Sequence, residues 1–336
     1  VNLKIILDCF GGDNSPVEII KGAAAALNER DDFKLVLAGK GEIINAELKK
    51  YKFDADRVEI LEAPSVIAVD EPPAAAIKTK RDSSIVKSLL KLKEDNDAAA
   101  FVSAGSTGAV LAGAVIYIKR IAGINRPGLA PVLPTVKGGR VVLIDCGANP
   151  EAGADNLVQF ASIGSIFASV SLGIKNPKIA LLSNGTEENK GSALNKEAFP
   201  LLKEDAKINF IGNIEAREIL SGEADVVVAD GFSGNIALKA SEGAALSLFD
   251  LIKDGIMNGG ARAKLGYLLL KPVFKKVKKT MDYNESGGAV LLGLQKLVIK
   301  AHGSSKAKSI KAAIFQAADI AESGLLKSLG EGFSKE

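Results

Sequence analysis

The sequence contains no tryptophan, one histidine (His302), two cysteines and only 5% aromatic residues. So few aromatic faces argue against a stacking platform for single-stranded nucleic acid. A formal net charge of +3 over 336 residues is too weak to grip a polyanion by counterion release, so no nucleic-acid partner is expected. Cys9 and Cys146 stand far apart in apolar runs, without the spacing of a zinc site or a disulfide framework. No metal is expected, and the chain reads as the product of a reducing cytoplasm. The longest apolar stretch, Ala109 to Ile118, is well short of the roughly 20 residues of a membrane span and reads as a buried helix. The opening run, Leu3 to Leu7, is closed by Asp8 too soon for a signal peptide. Two nucleotide signatures are also missing. Gly39-Lys40-Gly41 follows a strand-like run, but Ile44 takes the third glycine's place, and no GxxxxGK[ST] occurs. Dehydrogenase and kinase readings lose ground, and no cofactor is expected.

What is present describes a globular enzyme, with 47% hydrophobic and 25% charged residues, in a chain long enough for one large α/β unit or two lobes sharing a sheet. Short apolar runs recur at Leu3–Asp8, Lys34–Ala38, Val58–Leu61, Ala98–Ser103, Val141–Asp145, Lys178–Ser183, Ile208–Ile211 and Val226–Ala229. Each is followed by a helix-period segment. Continuous rather than alternating apolar runs indicate strands covered on both faces, hence parallel βαβ units in a single α/β body spanning residues 1–336. In such sheets ligands sit beyond the carboxyl ends of the strands. Residues 246–281 break the rhythm and predict a helical hairpin interrupted at Asn258-Gly259-Gly260 and at Pro272. Lys253, Arg262, Lys264, Lys271, Lys275, Lys276, Lys278 and Lys279 crowd there, while Leu270, Phe274, Val277 and Met281 share one helical face. Two readings stand: a helix packed on the body or on a second copy with a solvated charged face, or a surface that meets anionic lipid or an acidic partner.

Glycine-rich turns follow several of these runs. Ser103-Ala104-Gly105-Ser106-Thr107-Gly108-Ala109 opens a helix, and Asp8-Cys9-Phe10-Gly11-Gly12-Asp13, Asn184-Gly185-Thr186-Glu187 and Asp230-Gly231-Phe232-Ser233-Gly234-Asn235 repeat the arrangement, with Asp145-Cys146-Gly147-Ala148-Asn149 similar. Glycine lets backbone N–H groups converge, hydroxyls add donors, and together they suit an anion such as phosphate. The alternative for each turn alone is an ordinary capped loop, and Asp8, Asp145 and Asp230 can each serve simply by accepting backbone N–H bonds. A Ser/Cys–His–acid apparatus is hard to assemble from one imidazole and two apolar cysteines. Phosphate would bring its own nucleophilic oxygen, and a thiol with a pKa of roughly 8.5 is a competent leaving group. The protein then needs only to orient the two and stabilise an oxyanion.

In order along the chain, these segments resemble the acyl-ACP:phosphate acyltransferase (PlsX) family, which carries a DAMGGD-like turn, a SAGNTGA-like loop, RPALAP, a DVGAN-like turn, GTE followed by Lys-Gly, FIGNVEAR, DGFTGN, a GGA segment and KAHGSS. The corresponding residues here are Asp8–Asp13, Ser103–Ala109, Arg126–Pro131, Asp145–Asn149, Gly185–Gly191, Phe210–Arg217, Asp230–Asn235, Gly287–Ala289 and Lys300–Ser305. Ser106 stands where the family commonly has Asn, Cys9-Phe10 replaces Ala-Met, and Ser183-Asn184 shifts the usual Asn-Val before Gly185, so the family's side-chain amide roles at the first and third places do not carry over directly, while backbone N–H roles do.

The resemblance implies a three-layer αβα sandwich with a mostly parallel sheet, similar to isocitrate and isopropylmalate dehydrogenases and to phosphotransacetylase. It implies a homodimer, an acyl carrier protein as donor, inorganic phosphate as acceptor, and an acyl phosphate that a membrane acyltransferase consumes. Arg262, Lys264, Lys271 and Lys275 become candidates for contact with the carrier or a membrane. Lys190 and His302 are expected to contact phosphate or the oxyanion, against a solvated loop lysine and a helix-start cap. Asn213, Asn235 and Asn149 are expected to donate amide bonds, against roles in shaping turns. Asp8, Gly11, Gly12, Asp13, Gly105, Ser106, Thr107, Gly108, Gly185, Thr186 and Asp230 are expected to surround substrate. Arg217 is a further candidate, with a structural ion pair as its alternative. Rival readings are a phosphotransacetylase-like enzyme using acyl-coenzyme A and a non-catalytic membrane scaffold.

Overall fold

The computed structural model describes residues 3–281 and 287–334. Its strands are Lys4–Asp8 (β1), Lys34–Gly39 (β2), Val58–Glu62 (β3), Ala98–Ser103 (β4), Gly128–Ala130 (β5), Val132–Pro134 (β6), Arg140–Ile144 (β7), Lys178–Ser183 (β8), Asn209–Glu215 (β9), Val226–Val228 (β10), Ala289–Leu292 (β11) and Leu297–Lys300 (β12). All eight runs expected as strands are strands. The α-helices are Val17–Glu29 (α1), Gly41–Leu48 (α2), Pro73–Thr79 (α3), Ser84–Glu94 (α4), Thr107–Gly113 (α5), Ala154–Leu172 (α6), Ala193–Glu204 (α7), Gly231–Asn258 (α8), Gly260–Met281 (α9), Ala307–Glu322 (α10) and Leu325–Phe333 (α11).

The strands form two sheets, ordered β3-β2-β1-β4-β12-β11-β5 and β6-β7-β10-β8-β9. Pairing is parallel through β3-β2-β1-β4-β12 and through β7-β10-β8-β9. It is antiparallel where the sheets approach each other, at β12-β11-β5 and β6-β7. β5 and β6 are separated only by Pro131, which has no N–H to give either ladder. Its carbonyl accepts from Leu143 N at 3.2 Å, and Leu129 O accepts from Cys146 N at 2.9 Å. The extended stretch 128–134 therefore belongs to one sheet before Pro131 and to the other after it.

Alternation along each strand sends successive side chains to opposite faces. Ile5, Leu7, Leu35 and Leu37 join α1 and α10 in a cluster that continues through Val142, Ile144, Ile179 and Val226 against α6 and α7. Ile6, Val36, Phe101 and Val298 meet Ile77, Ile85, Leu89 and Val110 of α3, α4 and α5 on the other face. Val141, Leu143 and Val227 pack with Ala237 of α8. Phe101, fully buried, would cost about 3–5 kcal/mol if cut to alanine. This three-layer αβα arrangement leaves the carboxyl ends of the strands free for a site.

The hairpin is longer at its start than expected. Asp230 accepts from Phe232 N and Ser233 N at 3.0 and 2.9 Å, a strong cap that begins α8 at Gly231 and lets it run 28 residues. Gly259 and Gly260, the latter at φ +72°, turn the chain into α9. Pro272 lies inside α9 rather than interrupting it. Its missing N–H removes a single rung. Of α8, only Gly231, Gly234 and Ala237 are buried. Beyond them Leu246, Leu248, Leu251, Leu265, Leu268, Leu269, Leu270 and Val273 are all more than half exposed. Arg262, Lys264, Lys271 and Lys275 are exposed beside them. The Tyr267 and Phe274 rings are 5.7 Å apart. The side chains of Lys276, Lys278, Lys279 and Met281 lie outside the described residues. No helix among the described residues is long and apolar enough to cross a membrane.

Candidate active site

A cavity of about 450 Å³ opens where the two sheets adjoin. Leu111, Leu129, Pro131, Val132, Leu133 and Leu238 supply its apolar lining, while Thr107, Gly108, Asn235, Lys239, Glu242, Lys300, His302 and Gly303 supply polar groups. The sheet crossover at Pro131 places Leu129, Pro131, Val132 and Leu133 there, and the carboxyl ends of β4 and β12 place Thr107, Gly108, Lys300, His302 and Gly303. α5 contributes Leu111, and the first turns of α8 contribute Asn235, Leu238, Lys239 and Glu242.

β4 and β12 end side by side, Lys300 opposite Ser103, with Ala301 N donating to Ser103 O at 2.9 Å. Ser103 Oγ donates to Asp8 Oδ2 at 2.7 Å and accepts from Gly105 N at 3.0 Å. Phe10 N donates to Asp8 Oδ1 at 3.1 Å, and Asp13 N to Gly303 O at 2.8 Å. The turns after β1, β4 and β12 are thus locked together. Gly12 sits at φ +89°, and a Cβ there would lie 2.8 Å from Gly303 O, so only glycine fits this join. Burial pushes the Asp8 carboxyl up, with the Ser103 hydrogen bond opposing. Asp8, Gly11, Gly12, Asp13, Gly105 and Ser106 line a second hollow of about 160 Å³, shared with Ser84 and residues 66–69. Ser106 Oγ caps α5 by accepting from Ala109 N at 3.4 Å.

On the second sheet Asp145 is a hub. It accepts from Leu129 N (2.9 Å), Ala148 N (3.0 Å), Asn149 N (2.6 Å) and Asn149 Nδ2 (2.9 Å). Asn149 Nδ2 also donates to Pro127 O at 2.7 Å, so both amide hydrogens of this buried residue are engaged in the turn. Burial drives the Asp145 carboxyl up against those donors. Gly234 packs so closely that a Cβ would overlap the Asp145 carbonyl oxygen. That contact sets the first turn of α8 and brings Asn235 to the cavity wall beside Gly147.

Lys190, Gly185, Thr186 and Asn213 form a separate group, outside the cavity lining. Lys190 and Thr186 are exposed. Lys190 N donates to Glu187 O at 3.0 Å, and Asn213 Nδ2 donates to the same carbonyl at 2.8 Å. Arg217 is exposed and pairs with Glu215 at 2.6 Å.

His302 accepts at Nδ1 from Ser304 N at 3.2 Å and lies 2.8 Å from Ser304 Oγ. An accepting Nδ1 leaves the neutral ring's proton on Nε2. Partial burial and the Lys300 and Lys239 charges push its pKa down, with Asp13 opposing, which favours the neutral ring. Sequence reasoning gave Lys300 no role. It is 9% exposed, its Nζ donating to Ala301 O at 2.5 Å and to Ala104 O at 3.4 Å. Burial pushes it down to about 8 against the pull of Asp8 and Asp13. The available signal was a lysine ending the apolar run Leu297-Val298-Ile299. Among the described residues no group of three His, Cys, Asp or Glu side chains could hold a metal.

A family model described as fatty acid synthesis protein matches residues 3–328. The chain is 47% identical over 327 residues to a phosphate acyltransferase of Clostridium novyi (strain NT), covering 97% of each. It is 45% identical over 333 residues to one of Pediococcus pentosaceus, covering 98% of this chain and 94% of the relative. Among solved structures, a phosphotransacetylase from Streptococcus pyogenes superposes with a TM-score of 0.61 at 20% identity, over 96% of this chain and 94% of that one, a likeness of fold. Identity at this level along almost the whole length makes the chain an acyltransferase that belongs to the phosphate acyltransferase family.

Proposed function

We propose that this enzyme takes a fatty acyl group from the thioester of an acyl carrier protein and places it on inorganic phosphate, forming an acyl phosphate for phospholipid synthesis in the cytoplasm. The observation that carries the reading is the two-sided cavity: an apolar lining suited to an acyl chain beside a polar edge suited to phosphate and a carbonyl oxygen. A phosphate oxygen attacks the thioester carbon, forming the C–O bond as the carbonyl electrons move to oxygen. The tetrahedral intermediate then collapses, the C–S bond breaks, and the thiolate takes a proton from solvent. The Thr107 and Gly108 N–H groups, which precede the first helical hydrogen bond of α5, the His302 Nε2–H and the Asn235 amide are the donors for phosphate and oxyanion. Asp8, Gly11, Gly12, Asp13, Gly105 and Ser106 hold the neighbouring turns, Asp145 and Asn149 hold the opposite edge, and Asp230 aims α8. Lys190, Gly185, Thr186 and Asn213 stand outside the chemical step.

The hairpin's exposed leucines beside Arg262, Lys264, Lys271 and Lys275 support peripheral contact with an anionic membrane or the acidic carrier, in a homodimer whose second copy covers part of the apolar face. The test is to incubate the purified chain with long-chain acyl-ACP and phosphate, trap acyl phosphate with hydroxylamine, and repeat with acyl-coenzyme A. Product from acyl-ACP is expected. Product from acyl-coenzyme A alone, or a competent acyl adduct on a protein side chain, would overturn the proposal.

A further inference from the structure

We propose that Lys300 is a catalytic residue, its ammonium contacting the phosphate and the developing oxyanion in the main cavity. This rests on the reading of that cavity as the phosphate-transfer site. Lys300 ends a buried strand and lines both the main cavity and the narrow apolar recess behind it formed with Val110, Leu111 and Leu291. Its position is therefore fixed by β12 rather than by a mobile stem.

An ammonium has three donors. Ala301 O and Ala104 O take two, and among the described residues no carboxylate lies within ion-pair distance of the third. Two partly buried lysines with carboxylate partners differ: Lys4 meets Asp95 at 2.9 Å, and Lys91 meets the same carboxylate at 3.1 Å. The partly buried Lys296, like Lys300, donates to a backbone carbonyl, Ala98 O at 3.0 Å, but it does not line the main cavity. A buried charge is held at a cost unless an opposite charge completes its shell. Asp8 faces it from β1 but is bonded to Ser103, and Asp13 on the following turn is exposed. His302 on its own loop, Cys146 after β7, and Lys239 and Glu242 on α8 are the other titratable groups around the cavity. None closes on Lys300 as a counterion, so the anion that completes the shell is the ligand. A phosphate dianion matches in charge, and the tetrahedral oxyanion forms beside it.

Burial holds Lys300 at about 8, so the free enzyme loses this charge as pH rises through that value, and a bound anion pulls it back up. The decisive comparison is wild type, K300M and K300R, assayed for acyl phosphate formation across pH 6.5 to 10, with melting temperatures in graded orthophosphate as a readout independent of turnover. Expected for K300M is a loss of roughly 100-fold or more in kcat/KM for phosphate, with KM for acyl-ACP little changed and thermal protection by orthophosphate abolished. K300R, which does not titrate in this range, should recover part of the activity and move the alkaline limb upward by more than one unit. Unchanged phosphate kinetics and protection in K300M, or an alkaline limb still near 8 in K300R, would reduce Lys300 to a tie between two loops. If K300M does not fold, the K300R profile decides alone. Orthophosphate protection that is present in wild type and lost in K300M, without any acyl phosphate from wild type, would uphold the charge's role while sinking the transfer reaction. Absence of protection in wild type would overturn the charge's role.

Discussion

The turn that follows β12 and the turn that follows β8 use the same kinds of residue, yet they are different environments. Lys300 is buried at a join of three turns, in the wall of a cavity that opens to solvent, with the exposed His302 and the half-buried Gly303 beside it. Lys190, Thr186 and Glu187 form an open loop in which the lysine is exposed. An ammonium in water at 4 Å from an anion gains only about 1 kcal/mol, several times less than one at the edge of a low-dielectric cavity. The lesson is that a glycine turn with a lysine becomes an anion site through what is packed beneath it, and composition alone does not distinguish the two.

The largest expected effect breaks the enclosed side at its support. Asp145→Ala removes the acceptor for four hydrogen bonds and should destabilise the fold by about 3 kcal/mol or more, with activity lost, as read in a urea melt. Asn184→Ala, which removes one exposed bond to Gly191 N on the open loop, should cost less than about 1 kcal/mol in the same melt. Equal losses would show that the two turns are supported alike. Next in size is His302→Ala, expected to lower kcat for acyl phosphate formation by about 10- to 100-fold with an unchanged melt. Asn235→Ala should cost roughly tenfold if its amide is one of several donors. Smaller still, charge reversal at Lys271 and Lys275 should weaken sedimentation with anionic vesicles by roughly fivefold per charge, and leave turnover on soluble acyl-ACP intact.

The same contrast explains what could be read from the sequence. Six of the eight runs from Leu3–Asp8 to Val226–Ala229 were legible because burial on both faces makes a strand apolar throughout, and the two edge strands β3 and β9, only partly buried, were legible from their short apolar cores. β5, β6, β11 and β12 were not: they are three or four residues long, too short for a period to show, and unlike the equally short β10 each has an antiparallel neighbour, which the rhythm of parallel units does not flag. Yet β5 and β6 form the sheet crossover and β12 delivers Lys300, so the cavity was only half visible. The turns after β1, β4 and β10 carried their glycine signal, and resemblance ordered them. That Lys300 is buried follows from β12 pairing with β4 from nearly 200 residues away. No local pattern encodes that pairing. Asn149 and Asn235 looked equivalent in sequence, and the difference lies in Asp145 and Pro127, which engage both hydrogens of the first amide.

Lys190 offers the finest test of the comparison. Its backbone N–H holds the loop through Glu187 O, and that bond survives truncation of the side chain. Lys190→Ala should therefore change kcat and KM for phosphate by less than about threefold, in keeping with the small worth of an exposed charge. Raising the salt from 50 to 500 mM should erase most of whatever difference appears, since exposed charges are screened over about a Debye length while enclosed ones are not. A tenfold loss that persisted at high salt would mean that the β8 turn closes over the cavity during turnover, and that the open loop and the enclosed one are two parts of a single site.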